Sequence, residues 1–168
     1  MDVLEAIRTR RSVRAFRPQG VSEEQVRRVL EAARWAPSGL NNQPWRFVIV
    51  RSEAVRESLA RCTKYGRILR AAPVAIAVFL DPQASYDRVK DVQGVGAALQ
   101  TLLLAAHGLG LGACWIGEIL NRRREVEQLL GVPDGLELMA VVALGVPAEG
   151  PHGKPERLPL DALVVAER

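Results

Sequence analysis

The stretch at residues 92–109 is apolar on nearly every face that a helix could present. A helix of this kind has no polar side for solvent and must be covered on all sides. Gln100 and His107 interrupt the stretch, so it falls short of the nearly continuous run of about 20 apolar residues that a membrane span needs. We therefore predict a central buried helix, ended by glycines from Gly108 onward and followed by a short strand at residues 113–116.

Strand patterns elsewhere in the chain predict a sheet that covers this helix. The continuous apolar run Val74–Leu80 is typical of a strand buried on both faces. Aromatic and β-branched residues predict a strand at Trp45–Val50. A further strand is predicted at residues 138–146, and residues 162–166 are a candidate last strand. Residues 81–91 are predicted to form a polar loop.

Helix starts are indicated by residues whose side chains can accept a hydrogen bond from a free backbone N–H. These residues are Asp2, Ser22, Ser52 and Asn121. Ser22 forms a capping box with Gln25, and the helix that it starts should end before Pro37. The helix after Asn121 should end at Gly131, a residue suited to the left-handed conformation. Helices followed by strands that alternate with helices predict one α+β domain over residues 1–168.

Charge and composition exclude several classes of protein. The net charge of +4 arises from twenty arginines against three lysines, and most of them are dispersed along the chain. A solvated basic surface is therefore favoured over a nucleic-acid partner. Two cysteines and two histidines show no metal-ligand spacing, so we predict no metal. The N-terminus lacks a signal-peptide pattern, which predicts a cytoplasmic protein without membrane contact.

Two common functional signatures are incomplete. Gly94 and Gly96 have neither the final glycine nor the preceding strand of a dinucleotide-binding fingerprint. No serine lies in a GxSxG elbow, which argues against a serine hydrolase.

Two segments in the first third of the chain could bind a ligand. Residues 8–16 read RTRRSVRAF and combine guanidinium donors with a hydroxyl, which is the chemistry that phosphate binding needs. An arginine-rich helix end that complements the helix dipole is the alternative. Residues 36–45 read APSGLNNQPW and offer paired amide donors and acceptors for the edge of a heterocycle. An ordinary turn is the alternative there.

Two later segments are weaker candidates when each is taken alone. Residues 113–118 read ACWIGE, and Gly117 could let a flat ligand approach the backbone closely. A strand-to-loop turn with Trp115 in the core is the alternative. Residues 150–159 form a proline-rich loop in which Lys154 and Arg157 could supply further charges for a phosphate.

Taken together and in this order, the four segments resemble the nitroreductase family of FMN-dependent oxidoreductases. The resemblance implies an α+β three-layer sandwich, with a central mixed β-sheet flanked by helices, formed as an intertwined homodimer. It also implies two FMN sites at the dimer interface. Loop 81–91 lacks the longer insertion that walls the substrate pocket in many members, so the acceptor is left open.

The resemblance implies roles for individual residues in FMN binding. Those that match the family's phosphate and ribityl contacts are Arg10, Arg11, Ser12 and Arg14. Either Lys154 or Arg157 matches the basic pair over the phosphate, and Arg157 fits better. The loop expected to reach the flavin from the other subunit contains Pro37, Ser38, Gly39, Asn41 and Gln43. The segment expected beside flavin N5 contains Trp115, Ile116 and Gly117. Which of Lys64, Arg67 and Arg70 touches the flavin stays open.

These roles predict an FMN-dependent NAD(P)H oxidoreductase. Hydride would pass in a ping-pong cycle from NADH or NADPH to a small electron-poor acceptor such as a nitroaromatic or a quinone. Arg14 is the candidate cation beside the N1–C2=O edge of the flavin, and no side chain is expected to be catalytic because the cofactor carries the chemistry. The alternatives are other flavin chemistry, such as dehalogenation or flavin degradation, and a flavin-binding protein without turnover. A nucleic-acid-binding protein that uses residues 10–17 is a further alternative.

Overall fold

The computed structural model describes residues 2–149 and 156–168. Its helices are α1 (Val3–Thr9), α2 (Glu23–Arg34), α3 (Glu53–Arg61), α4 (Gly66–Ala71), α5 (Arg88–Gly108) and α6 (Arg123–Leu130). Its strands are β1 (Trp45–Val50), β2 (Val74–Leu80), β3 (Gly112–Ile116) and β4 (Glu137–Gly145). The predicted strands at 45–50 and 74–80 are confirmed to the residue.

The four strands form one sheet in the order β1-β2-β4-β3, and every neighbouring pair is antiparallel. The expectation of a mixed sheet is therefore wrong for these strands, and the parallel pairing among the described residues is a single bridge between Ser12 and Ala113. Two helices, α3 and α4, connect β1 to β2 and return the chain in the opposite direction. Strands β2 and β3 do run the same way across α5, but β4 lies between them.

Helices cover both faces of the sheet and confirm the predicted α+β three-layer arrangement. Helices α2 and α5 pack on one face, and α3, α4 and α6 pack on the other. The sequence of strand β2 is apolar throughout because its side chains alternate between the two cores. Ile76 and Val78 point into the first core, whereas Ala77 and Phe79 point into the second.

Helix α5 is the buried central helix that the sequence predicts, but it begins earlier. Asp87 caps it by accepting a hydrogen bond from the backbone N–H of Lys90 (3.0 Å), so the end of the predicted loop 81–91 is helical. The first turn is polar, and apolar periodicity could not reveal it. Neither α5 nor any other helix in residues 2–149 and 156–168 has the length and hydropathy that a bilayer crossing requires.

Other predicted boundaries divide into confirmed and wrong. The capping box of Ser22 and Gln25 is present, and Gly131 ends α6 with a left-handed φ of 59°. Asn121 does not cap α6: it lies in the 3-10 turn Glu118–Arg122, and its side chain donates to Glu118. The candidate strand at 162–166 is also wrong, because these residues follow or end a 3-10 turn and pair with no strand among the described residues.

Candidate functional site

The arginine-rich segment after α1 lies alongside β3. The backbone N–H of Val13 donates to the carbonyl of Ala113 (3.0 Å), and Ser12 forms the parallel bridge to the same residue. The approach is close enough that a Cβ on Gly112 would lie 2.7 Å from the Cβ of Val13. The structure therefore brings the first and third predicted segments, RTRRSVRAF and ACWIGE, together.

Positive charge gathers at this contact without an acidic partner. Arg11 donates to the carbonyls of Arg8 (2.6 Å) and Arg10 (2.8 Å), and Arg14 donates to the carbonyl of Ser12 (3.2 Å). None of Arg10, Arg11 and Arg14 pairs with a carboxylate in the part of the chain that the structure describes. Guanidinium groups without a carboxylate partner have the chemistry to bind an anion such as a phosphate.

Arg10 has a buried polar atom, its Nε, that the surrounding protein leaves without a hydrogen-bond partner among the described residues. Burial, followed by the charges of Arg157 and Arg11, lowers the pKa of Arg10. Arg157 therefore lies close enough for its charge to act on Arg10, whereas Lys154 lies outside the described residues. A buried N–H without an acceptor is unfavourable, and a phosphate oxygen is an acceptor that suits a guanidinium.

A cavity of about 300 Å³ opens between this segment and the end of α5. Arg10, Arg11 and His107 contribute its polar lining. The hydroxyl of Thr9 lies 2.8 Å from Nε2 of His107. Burial, followed by the charges of Arg10 and Arg11, lowers the pKa of His107 and favours the neutral ring. The volume is at the small end of the range for ligand sites, about 300–1,000 Å³.

The third predicted segment ends in a fixed turn. Trp115 is 41% exposed and Ile116 is buried, so the strand presents one aromatic face outward just before Gly117. Glu118 then accepts hydrogen bonds from the Thr63 hydroxyl (2.5 Å) and the Lys64 backbone N–H (3.1 Å). These bonds hold the backbone after Gly117 against the end of α3.

The structure distinguishes two of the three basic residues whose roles the sequence left open, Lys64 and Arg70. Lys64 lies next to the segment that contains Gly117, through its backbone bond to Glu118. Arg70 of α4 instead donates to Glu57 of α3 at 2.7 Å. The backbone of Lys64 therefore lies beside the third predicted segment, whereas the Arg70 side chain is engaged by Glu57.

The loop at residues 36–45 has an unusual backbone. Leu40, Asn41 and Gln43 have φ values of 54°, 54° and 47°, in the left-handed region. Each such non-glycine residue costs about 1–2 kcal/mol, so the loop needs contacts that hold it. Ser38 Oγ accepts from the backbone N–H of Gln43 (3.0 Å), and the Gln43 amide donates to the carbonyl of Asn41 (3.0 Å).

Asn42 and Asp91 complete these contacts. The sequence predicts the Asn42 amide as a donor to a heterocycle, whereas here it binds within the chain, and Asp91 had no predicted role. The Asn42 amide donates to Asp91 Oδ1 (2.7 Å) and to the Ala84 carbonyl (2.8 Å). Burial opposes ionisation of Asp91, but hydrogen bonds from Ser85, Asn42 and backbone N–H groups hold the pKa of Asp91 below its usual range. An aspartate directly before an apolar helical run is the signal that could have identified it.

Within one chain, the loop at residues 36–45 lies away from the arginine cluster. The loop packs on the first half of α5, where a Cβ on Gly94 would lie 3.6 Å from the Pro37 carbonyl. The arginine cluster lies beside His107, near the other end of α5. With a rise of about 1.5 Å per residue, these positions are about 20 Å apart along the helix. The second predicted segment is therefore separate from the first and third.

Comparison with known proteins gives consistent matches over the chain. The sequence model of the Nitroreductase family matches residues 7–64 and 58–146. A Methanothermobacter thermautotrophicus protein, provisionally named NADH dehydrogenase/NAD(P)H nitroreductase, is 38% identical over 169 residues, covering 96% of this chain and 87% of that protein. The 5,6-dimethylbenzimidazole synthase of Rhodospirillum rubrum is 35% identical over 177 residues, covering 88% and 82% respectively.

A solved structure gives a match over the whole fold. The crystal structure of a Desulfovibrio desulfuricans protein in complex with FMN superposes with a TM-score of 0.94. The two chains are 48% identical, and the match covers 100% of this chain and 98% of the other.

Proposed function

Because the chain belongs to the nitroreductase family, we propose that it is an FMN-dependent oxidoreductase. It takes hydride from NADH or NADPH and passes it, in a ping-pong cycle, to a small electron-poor acceptor such as a nitroaromatic or a quinone. A relative with a nitroreductase name and a superposable structure that contains FMN support this assignment. A cytoplasmic location, where both nicotinamides are available, belongs to the same proposal.

The observation that carries the proposal is the cation cluster of Arg10, Arg11 and Arg14, whose charge Arg157 increases. The buried Nε of Arg10 lacks a partner among the described residues, and its guanidinium is destabilised by its positive neighbours. The FMN phosphate supplies both the missing acceptor and the missing negative charge. The residues present therefore fit the cofactor.

The remaining residues of the site bind and orient the flavin. When bound, FMN supplies the hydride-transfer chemistry, and the protein supplies binding and electrostatics. Arg14 would place a cation at the N1–C2=O edge, where reduction adds negative charge. The backbone at Ile116 and Gly117 would orient the N5 side, and Trp115, whose side chain is partly exposed, would border the site. Ser12 would hold the ribityl chain.

The site requires a second copy of the chain. The loop with Ser38, Gly39 and Asn41 lies about 20 Å along α5 from the arginine cluster of its own chain, so its flavin contacts are made in a symmetric homodimer. Large apolar side chains of α1 and the C-terminal tail are exposed and need a partner surface. They include Val3, Leu4, Ile7, Leu158, Leu160 and Leu163.

A second candidate keeps the fold and the cofactor but changes the reaction. The relative from Rhodospirillum rubrum is named as a synthase and not as a nitroreductase, at 35% identity. Flavin degradation or dehalogenation by this chain is therefore the alternative. It predicts tight FMN binding without oxidation of NADH or NADPH. A flavin-binding protein without turnover makes the same prediction and would also leave the bound flavin chemically intact.

The visible spectrum of the purified protein tests the proposal. We expect a yellow protein whose flavin absorbance is bleached by NADH or NADPH without oxygen and is restored by a quinone or a nitroaromatic. The two nicotinamides compared side by side give the donor preference. A colourless protein that does not take up added FMN would contradict the proposal. A yellow protein that neither nicotinamide reduces would favour the second candidate.

A further inference from the structure

Asp91 is the single buried charged residue among the residues that the structure describes, with 1% of its surface exposed. A buried carboxylate is unfavourable unless hydrogen bonds replace its lost hydration. Oδ2 of Asp91 accepts from the Ser85 hydroxyl (2.6 Å) and from the backbone N–H groups of Tyr86 (3.0 Å) and Asp87 (3.2 Å). These three bonds stabilise the turn that leads into α5.

The other oxygen of Asp91 has a different partner. Oδ1 accepts from the amide of Asn42, which lies far away in the sequence, in the loop before β1. The same amide nitrogen donates to the Ala84 carbonyl, whereas Oδ1 of Asn42 is buried and has no partner in residues 2–149 and 156–168. Rotating the amide by half a turn would place oxygen against two acceptors. Asp91 and Ala84 therefore fix one orientation of Asn42.

Asn42 lies between two residues in the left-handed region, Asn41 and Gln43. The bond to Asp91 thus attaches a part of the loop with left-handed backbone on both sides to the buried central helix. Ser38 and Asn41, which the proposed function places against the flavin of the partner subunit, depend on this backbone for their position.

We propose that Asp91 is a positioning residue for FMN binding, which acts through Asn42 to hold the loop at residues 38–43 in its flavin-binding geometry. This inference rests on the proposed function, because it presumes that the loop contacts FMN. Asp91 contacts this loop through Asn42, which is not one of the residues that we place against the flavin. Its effect on FMN is transmitted by one hydrogen bond and by the shape of the loop.

The start of α5 does not require the bond to Asn42. Asp87 caps the helix through Lys90, and apolar residues such as Val95 and Leu99 bury its body. Loss of the bond between Asp91 and Asn42 should therefore loosen the loop and leave the fold in place. A residue with only a structural role would lower stability and FMN affinity together.

The test measures FMN affinity by titration of apo-protein and thermal unfolding of the same apo-protein. In Asp91→Asn, an oxygen remains for the three donors of the turn, but an amide group then faces the amide of Asn42. We expect the dissociation constant for FMN to rise at least tenfold, which is about 1.4 kcal/mol, while the unfolding temperature of the apo-protein changes little. Asp87→Asn is the matched control, since asparagine also caps helices and the Asn42 contact is untouched.

Asn42→Ala removes the same bond from the loop side and decides the question if Asp91→Asn fails to fold. When both variants fold, the double variant should bind FMN no more weakly than the weaker single variant, because both remove one interaction. FMN affinity as in wild type in the folded single variants, or losses that add in the double variant, would overturn the positioning role. Wild-type protein that fails to bind FMN would instead overturn the proposed function.

Discussion

Arg10 is the residue whose replacement separates binding from folding most clearly. It lies outside the apolar cores, and its buried Nε has no partner among the described residues. In the double variant R10A/R14A we expect FMN affinity to fall by roughly two orders of magnitude, about 2.7 kcal/mol. The thermal stability of the apo-protein should stay the same or rise, because an unneutralised cluster of cations is relieved. Flavin titration and thermal unfolding measure the two quantities.

The control for this variant removes two exposed arginines elsewhere, Arg61 and Arg124. It changes the net charge by the same amount but leaves the cluster intact, and it should bind FMN as wild type does. An equal loss of apo-protein stability and FMN affinity in R10A/R14A would mean that the two arginines serve the fold.

The backbone contact between the segment at residues 8–16 and β3 depends on the absence of a side chain at Gly112. A Cβ there would lie 2.7 Å from the Cβ of Val13, below any normal contact distance. In Gly112→Ala the segment that carries Arg10 must move away from β3, and we expect FMN affinity to fall at least tenfold, about 1.4 kcal/mol. Gly96→Ala is the control, since its added methyl group meets nothing within 4 Å. Similar FMN affinities in the two variants would show that FMN binding does not depend on the close contact between this segment and β3.

Glu137 joins three elements, because it accepts hydrogen bonds from Arg88 of α5 (2.6 Å) and from Arg123 of α6 at the start of β4. The bond from Arg88, with smaller help from Arg123, lowers the pKa of Glu137 in the folded protein. A carboxylate with a lowered pKa stabilises the fold above its unfolded pKa of about 4.3, and this contribution is lost as the pH falls toward the folded value.

Glu137→Gln should therefore lower the free energy of unfolding by about 1 kcal/mol at pH 7, and by progressively less below pH 4. Urea unfolding of the apo-protein at pH 7 and at a pH below 4 measures the difference in free energy of unfolding between Glu137→Gln and wild type. Glu23→Gln removes an exposed pair within α2 and should cost about 0.3 kcal/mol or less. A deficit for Glu137→Gln that persists unchanged in acid would show that the charge is not responsible.

Elements with one dominant physical signal could be predicted from the sequence, and elements that depend on distant contacts could not. The apolar run of β2 and the capping box of α2 are local patterns, and both were correct. Strand direction was not local: β4 enters between β2 and β3 and removes the parallel neighbours that a mixed sheet needs. Helix α4 is short, has no side-chain cap and was missed.

The same division applies to the site. Residue types that suit a phosphate could be predicted, because Arg10 and Arg14 cluster in the sequence itself. The role of Asp91 could not, since its partner Asn42 lies in another segment and only the fold brings them together. The distance between the loop that contains Asn41 and the arginines depends on two things. One is the length of α5, which the sequence indicates. The other is the end of α5 that each segment contacts, and the sequence does not indicate that.

At the scale of the whole molecule, the two segments that we propose to bind FMN lie near different ends of α5 in one chain. If each site takes its arginine cluster from one subunit and its loop from the other, then two defective variants can complement each other. R10A/R14A has a defective cluster and an intact loop. S38A/N41A has an intact cluster and a loop without its two polar side chains. Each variant alone should bind FMN poorly.

Equal amounts of the two variants, dissociated and reassembled, should form mixed dimers in about half of the molecules of a symmetric dimer. Each mixed dimer has one site with both defects and one with none, so about one quarter of all sites should recover wild-type FMN affinity. Flavin absorbance per chain measures this fraction, and size-exclusion chromatography checks that the products are dimers. Wild-type protein treated in the same way gives the yield of reassembly. A reassembled mixture that binds no more FMN than the two separate variants would mean that each chain completes its own site.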